Sequence, residues 1–222
     1  MNDPLRYQSP IDLNYTNSLD VSQLVEIKGK NKKAKYIPEN KIFLVKDKVI
    51  LTLNEISYQL IEYHFHMPGE HEIKGKKYPA ELHYVFYKIN DKKENKKDDN
   101  KENNNKENNN KENNKEGNNY DVCGGKNIPQ EENILVIGRV IKNDPCREID
   151  LTELRVDLPS KYFEYDGSLT GPGDGATAVR WVFGNNYIKL PLKEIKPIAK
   201  GSRSIKPLDN RIILTGNFSD CC

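Results

Sequence analysis

Short runs rich in Val, Ile, Tyr and Phe, each bounded by Gly, Pro, Asn or Asp, recur along this 222-residue chain and leave little room for helices. KIFLVKDKVILTL, YQLIEYHFHM, ELHYVFYKI, NILVIGRVI, AVRWVF and NRIILTGNF are read as strands. Helix is expected only as short pieces, at 150–156, where DLTEL can open with a capped turn, and at 192–195. The pattern predicts an antiparallel, mainly β domain.

From 91 to 130 the sequence collapses into Lys, Glu and Asn, with KENNNKENNNKENNKEGNN at its centre. Such a stretch has almost no apolar side chains to offset the entropy of ordering it, so a disordered insertion is expected. Strand-like sequence resumes immediately after it. The insertion is therefore read as joining two strands of one sheet within a single domain, 1–222, and leaves about 180 residues of ordinary domain size.

The 35 basic and 33 acidic residues are mixed along the chain and give a formal charge of +2. No block suits a phosphate backbone, and nucleic acid is not an expected partner. MNDPLRYQSPIDL lacks the apolar core of a signal peptide and no run approaches a membrane span, which predicts a soluble, cytoplasmic protein, with association at a cell or virion surface left open. Cys123, Cys146, Cys221 and Cys222 have no metal-type spacing and are read as mostly free thiols. The pair Cys221 and Cys222 could instead cross-link two chains or carry a lipid.

All four histidines, His64, His66, His71 and His83, fall in one window. In EYHFHM the side chains alternate, so His64 and His66 share one strand face while Tyr63, Phe65 and Met67 take the other. If AELHYVF pairs as a neighbouring strand, His83 lies across from them. Three neutral imidazoles and one water make an open zinc site. A single strand histidine is more often a satisfied, half-buried residue. Three in this arrangement shift the balance toward a metal.

These residues also carry a resemblance to the α-class carbonic anhydrases. QSPIDL at 8–13, YHFHM, GEHEI, YPAELHYV, GSLTGP at 167–172, Trp181 and PLDNR at 207–211 match segments of that family in order. The resemblance implies a large twisted, mostly antiparallel sheet, and zinc held by His64, His66 and His83. It further implies reversible hydration of carbon dioxide to bicarbonate by a zinc-bound hydroxide, with sulfonamide-type inhibitors as ligands. Thr170 and Glu70 correspond to the pair that orients the nucleophile: the Thr hydroxyl donates to the carboxylate and accepts from the hydroxide.

By the same resemblance, Glu81 receives the free ring N–H of His83. Glu62 stands where a Gln usually supports the first ligand, and its charge would tend to raise the pKa of the zinc water. Asn210 and Arg211 match a structural pair near the site, and His71 a buried partner of its hydrogen bonds. Val85, Ile134, Val136, Leu169 and Trp181 match an apolar carbon dioxide pocket, although periodicity alone reads them as core. The family's disulfide has no counterpart, which fits a reducing compartment.

Other positions depart from the family. Met67 replaces a Trp, Gly171 a Thr and Gly173 a Pro, so the wall around Thr170 is expected to be looser. The competing function is a carbonic-anhydrase-like binding module for a cell-surface glycan. Dead relatives typically lose zinc histidines, whereas all three are present here. The lysine-rich KGKNKKAK and IKPIAKGSR are read equally as a basic crevice or as solvated surface. A third reading, a zinc hydrolase acting on esters, follows from the same nucleophile as a side activity.

Lys41 occupies the position where active members often carry a proton-shuttling His. A Lys with pKa near 10 holds its proton too tightly to relay at neutral pH. Turnover limited by proton export is therefore predicted. Under saturating carbon dioxide, imidazole buffer should accelerate hydration markedly. A rate indifferent to buffer concentration would show that Lys41, or another route, exports the proton fast enough.

Overall fold

The alternation legible in EYHFHM becomes the strand around which the sheet is organised. The computed structural model describes residues 7–14, 18–89, 133–171, 177–198 and 203–220. The Asn-rich stretch expected to be disordered, together with Cys123, Cys221, Cys222 and residues 172–176, lies outside the described residues. Cys146 is an exposed free thiol.

In chain order the strands are β1 (Asp12–Leu13), β2 (Ser18–Lys28), β3 (Lys35–Ile37), β4 (Ile42–Leu44), β5 (Ile50–Leu53), β6 (Ile56–His66) and β7 (Glu72–Ile73). They continue with β8 (Lys76–Lys77), β9 (Ala80–Lys88), β10 (Ile134–Asn143), β11 (Lys161–Ser168), β12 (Ala178–Leu190) and β13 (Ile213–Asp220). Ten of them form one sheet in the order β3-β4-β6-β5-β2-β13-β11-β12-β10-β9, and β6 also pairs with β9. The sheet thus closes into a barrel-like ring. Within it β10 and β12, and β13 and β2, run parallel, while the other pairs are antiparallel. A small second sheet, β1-β7-β8, pairs separately and adds Leu13 and Ile73 to a core shared with the large sheet.

Local chemistry explains several of these elements. Two-residue loops close the hairpins β5–β6 and β7–β8, with Asn54 and Glu55 at φ 47° and 69° and Lys74 and Gly75 at 54° and 68°. Positive φ at both central residues matches the right-handed twist of the flanking strands. Asn54 tolerates it, and its Oδ1 accepts a hydrogen bond from the Leu24 N–H at 3.3 Å, tying the turn to β2. The run KIFLVKDKVILTL, expected as one strand region, divides. The β4 half pairs with Glu62–His64 of β6, and the β5 half pairs with residues 56–59. Between them the charged Lys46-Asp47-Lys48 steps outward, while Val45 and Val49 stay bonded to the β6 backbone. The two expected helical pieces are single 3-10 turns, Leu151–Glu153 and Leu192–Glu194, the first capped by Asp150 Oδ1 accepting from the Thr152 N–H at 2.9 Å. Among the described residues no helix is long and apolar enough to cross a membrane.

Side chains of β6 and β9 feed two cores. On one side Tyr63 and Phe65 are fully buried against Phe43, stacked at 5.0 Å and edge-on at 5.8 Å respectively. Each such aromatic pair contributes about 0.5–1.5 kcal/mol beyond its buried area. On the other side Val85, Val136, Phe163, Trp181 and Phe183 form a second cluster. The histidines border this second core.

Gly138 is required where that core meets the sheet. It lies opposite His83 in the β9–β10 register, and a Cβ there would stand 2.3 Å from the ring of the fully buried Phe183. Phe183 in turn packs on His71 at 4.7 Å. Gly138→Ala is expected to cost about 1–3 kcal/mol through overpacking. Urea denaturation will read this as a lower midpoint with an unchanged slope; an unchanged midpoint would show that the Phe183 layer yields freely.

Candidate metal centre

Three imidazoles converge on one face of the β6–β9 pair. His64 is directly opposite His83 in the register, and His66 follows two residues along β6. Ring centroids are 5.1 Å apart for His64 and His66, 5.3 Å for His64 and His83, and 4.5 Å for His66 and His83. One nitrogen from each lies within 4.8 Å of the others, a spacing that can hold a single metal ion. His66 and His83 are buried, and burial, followed for His66 by the neighbouring histidines, keeps its pKa well below the usual value. Burial likewise lowers His83 to about 4, although Glu81 pulls the other way. Both rings are therefore neutral at pH 7, which a metal ligand must be.

The second ring nitrogens decide which atoms are free to ligate. His64 Nδ1 lies 3.1 Å from Glu62 Oε1, and His83 Nε2 lies 2.5 Å from Glu81 Oε1. His66 Nδ1 approaches Glu70 Oε1 at 3.3 Å, while its Nε2 is buried without a partner. An orphaned, buried imidazole nitrogen is costly unless something binds it. Together with His64 Nε2 and His83 Nδ1 it completes a three-nitrogen set that fits zinc. His71, Glu81 and His83 also cluster closely, but both His71 nitrogens and His83 Nε2 are taken up by hydrogen bonds to Glu81 and Tyr165.

Those hydrogen bonds form one directional chain. The Ser168 N–H donates to Ser9 Oγ at 3.2 Å, Ser9 Oγ and the Tyr165 hydroxyl are 2.9 Å apart, and the Tyr165 hydroxyl is 2.6 Å from His71 Nε2. His71 Nδ1 is 2.7 Å from Glu81 Oε1, which also meets His83 Nε2. Glu81 Oε2 accepts the N–H groups of Glu70 and His71, each at 2.9 Å. An acceptor-only carboxylate requires the hydrogen on His71 Nδ1 and on His83 Nε2. In a neutral His71 ring Nε2 is the acceptor, in which case Tyr165 donates to it and Ser9 donates to Tyr165. The chain fixes the His83 tautomer with its Nδ1 lone pair exposed to the metal position. Sequence reasoning placed Glu81 and His71 in this network but missed Ser9 and Tyr165. QSPIDL held Ser9 in view, but nothing in the sequence announced a partner 156 residues away.

The remaining expected site residues are placed as follows. Glu70 is fully buried, and burial, with the Glu81 charge adding to it, pushes its carboxyl up to about 7. Thr170, His64 and Arg203 act in the opposite direction. Thr170 is buried nearby, yet neither Glu70 oxygen makes a well-formed hydrogen bond in this geometry. Val136 lies between its cross-strand neighbours Val85 and Trp181, and with Ile134 and the partly buried Leu169 they belong to one apolar cluster, with Trp181 4.9 Å from His83. Lys41 has left-handed backbone, φ 56°, immediately before Ile42, the residue opposite His64. Asn210 is exposed in a turn at φ 60° before β13, and the group beside His66 Nδ1 is Glu70. Arg211 is the buried member of that pair, donating to the carbonyls of Leu208, Asp166 and Pro207. Met67 is 40% exposed at the end of β6. Two cavities of about 350 and 280 Å³ lie elsewhere, and no histidine lines either.

Fold and site lead to one family. The eukaryotic-type carbonic anhydrase family matches residues 5–217, and the chain belongs to it. A carbonic anhydrase of Neisseria gonorrhoeae is 25% identical over 174 residues, 74% of this chain and 58% of that relative. The chain thus spans little more than half the length of that relative. Among solved structures, the α-carbonic anhydrase of Thermovibrio ammonificans in complex with sulfanilamide superposes with a TM-score of 0.59 at 22% identity, covering 94% of this chain and 87% of that one. Dioscorin complexed with ascorbate gives the same TM-score at 16% identity, covering 96% and 87%. At such identities the likeness establishes the fold.

Tyr165→Phe tests the hydrogen-bond chain. It removes the hydroxyl that partners His71 Nε2 among the described residues and leaves that nitrogen buried. The expected stability loss is about 1–3 kcal/mol, read by urea denaturation. Chelator competition should show weaker zinc binding, by less than the about 10- to 100-fold expected of Glu81→Ala. A variant unchanged in both would mean that the His83 tautomer is held by Glu81 alone.

Proposed function

We propose that this protein hydrates carbon dioxide reversibly to bicarbonate and a proton, with zinc held by His64, His66 and His83. The observation that carries the reading is the unpartnered, buried Nε2 of His66 standing among nitrogens of His64 and His83 within 4.8 Å. When bound there, zinc lowers the pKa of a coordinated water to about 7 and so supplies a nucleophile at neutral pH.

The chain's own residues do the rest. Glu81 keeps the proton on His83 Nε2, and Glu62 does the same for His64 Nδ1, which aims the other nitrogens inward. Thr170, by donating to Glu70, presents its oxygen only as an acceptor and so directs the attacking water's lone pair toward the substrate. Carbon dioxide offers almost no hydrogen-bonding handle. The apolar wall of Val85, Ile134, Val136, Leu169 and Trp181 accepts it and excludes competing water. Lys41, which by resemblance takes the proton-shuttle position, is proposed to make proton export slow. A sulfonamide, the inhibitor class bound in the Thermovibrio ammonificans structure, is expected to compete at the same place. Residues 1–222 are proposed to act as one domain, with 91–130 as an insertion that the chemistry does not use.

Stopped-flow hydration of carbon dioxide by zinc-loaded protein tests this reading, with His83→Ala and a sulfonamide as controls. The expected result is turnover that both controls abolish, with one zinc per chain in the parent and less in the variant. One bound zinc without turnover would overturn the enzymatic reading and leave a binding module.

A further inference from the structure

Within the lysine-rich stretch IKPIAKGSR, Arg203 departs from the behaviour of a solvated cation. Its side chain is half-buried, its Nη2 donates to the Gly171 carbonyl at 2.5 Å, and its Nη1 is buried without a partner among the described residues. A guanidinium that gives up water on one nitrogen, with only one strong bond in return, is an expensive feature. The bond it does make falls on the residue next to Thr170.

That position needs a support of this kind. After Thr170 the sequence runs Gly171, Pro172, Gly173, Asp174, Gly175, so three of five residues lack side chains that could pack against the sheet. Glycines also leave the backbone free to take many conformations. Upstream, the segment is anchored by Trp181 Nε1 donating to the Ser168 carbonyl at 3.0 Å and by the Leu169 N–H donating to the Thr177 carbonyl at 3.2 Å. Neither bond reaches past Leu169. The Gly171 carbonyl is the backbone handle that Arg203 grips.

We propose that Arg203 is a positioning residue: its guanidinium clamps the Gly171 carbonyl and thereby fixes Thr170 against Glu70. The charge of Arg203 also acts on the Glu70 carboxyl, in the direction that favours its ionised, accepting form. The clamp is a statement about the loop; only its kinetic consequence rests on the function proposed above.

The test uses the full-length chain with Arg203→Gln, Arg203→Lys and Arg203→Ala. In metal-free protein, hydrogen exchange at the Leu169 amide should accelerate about 10- to 100-fold in Arg203→Gln, as expected for one lost charge-assisted bond. Zinc stoichiometry should remain one per chain, because no ligand is touched. In zinc-loaded protein, kcat and kcat/KM for carbon dioxide should fall together, the signature of a contact that matters in the transition state. Millimolar guanidinium should restore much of the loss in Arg203→Ala but none in the parent, whereas a merely structural role would not be rescued. Arg203→Lys keeps the charge and loses the planar fork, so it should be intermediate. Unchanged Leu169 exchange in both Arg203→Gln and Arg203→Lys would overturn the clamp. A parent without turnover would sink the proposed activity while leaving the exchange result to decide the clamp by itself.

Discussion

One buried carboxylate, that of Glu81, holds the centre of this molecule together. It is fully inaccessible and collects four N–H groups: the backbone amides of Glu70 and His71, His71 Nδ1 and His83 Nε2. Burial alone would push its pKa up, but His71 and His83 overcome that and hold it well below the ordinary carboxylate range. An ionised group in an apolar interior survives only when its lone pairs are saturated in this way. By doing so it joins β9 to the loop carrying Glu70 and His71, and through Tyr165 to β11. Strand, loop and second core are registered to one point.

The imidazoles depend on that registration in two respects. Period-two alternation puts His64 and His66 on one face of β6, and the β6–β9 register brings His83 opposite His64. Rigid strands hold such a set more tightly than loops could. Electrostatics completes the arrangement. The same burial that makes Glu81 need donors lowers the pKa of His66 and His83, so these two rings offer lone pairs to the candidate metal position.

Much of this was legible in the sequence where the signal was local, and little where it was distant. The histidine spacing, the strand runs and the two short helical turns are all local patterns, and they correspond to elements of the structure. The long strands β2 and β11 escaped the reading, as did the short β1, β3, β7 and β8. SLDVSQLVEIK buries Gln23 and Val25 but leaves Leu19 and Leu24 more than half exposed, so its apolar residues do not mark its inner face. KYFEYDGS hides Glu164 in the core, where Gln23 and Arg180 bond to it, and a buried acid reads as a surface residue until its partners are known. Tyr165 and Ser9 likewise acquire their roles from partners 94 and 156 residues away. Arg203 was masked by the lysines around it, since composition cannot tell a cation that turns inward from those that stay in water.

The two glutamates flanking the centre show how one interior gives carboxylates different tasks. Glu81 and Glu70 are both buried, and their charges repel. Glu81 has the donors, so it takes the charge unconditionally and serves as a fixed anchor. Glu70 has no well-formed hydrogen bond and sits near 7, where its charge depends on what surrounds it. Environment has separated two chemically identical groups. An acceptor with an unfilled valence beside Thr170 is what a hydroxyl must find if it is to be polarised in one direction only. The sequence after Thr170 is glycine-rich, so under the proposed function the strength of that polarisation would be set by what holds Thr170 in place. In this fold the rigid half of the site is carried by strands and a saturated carboxylate, and the adjustable half by a carboxylate still in need of a donor.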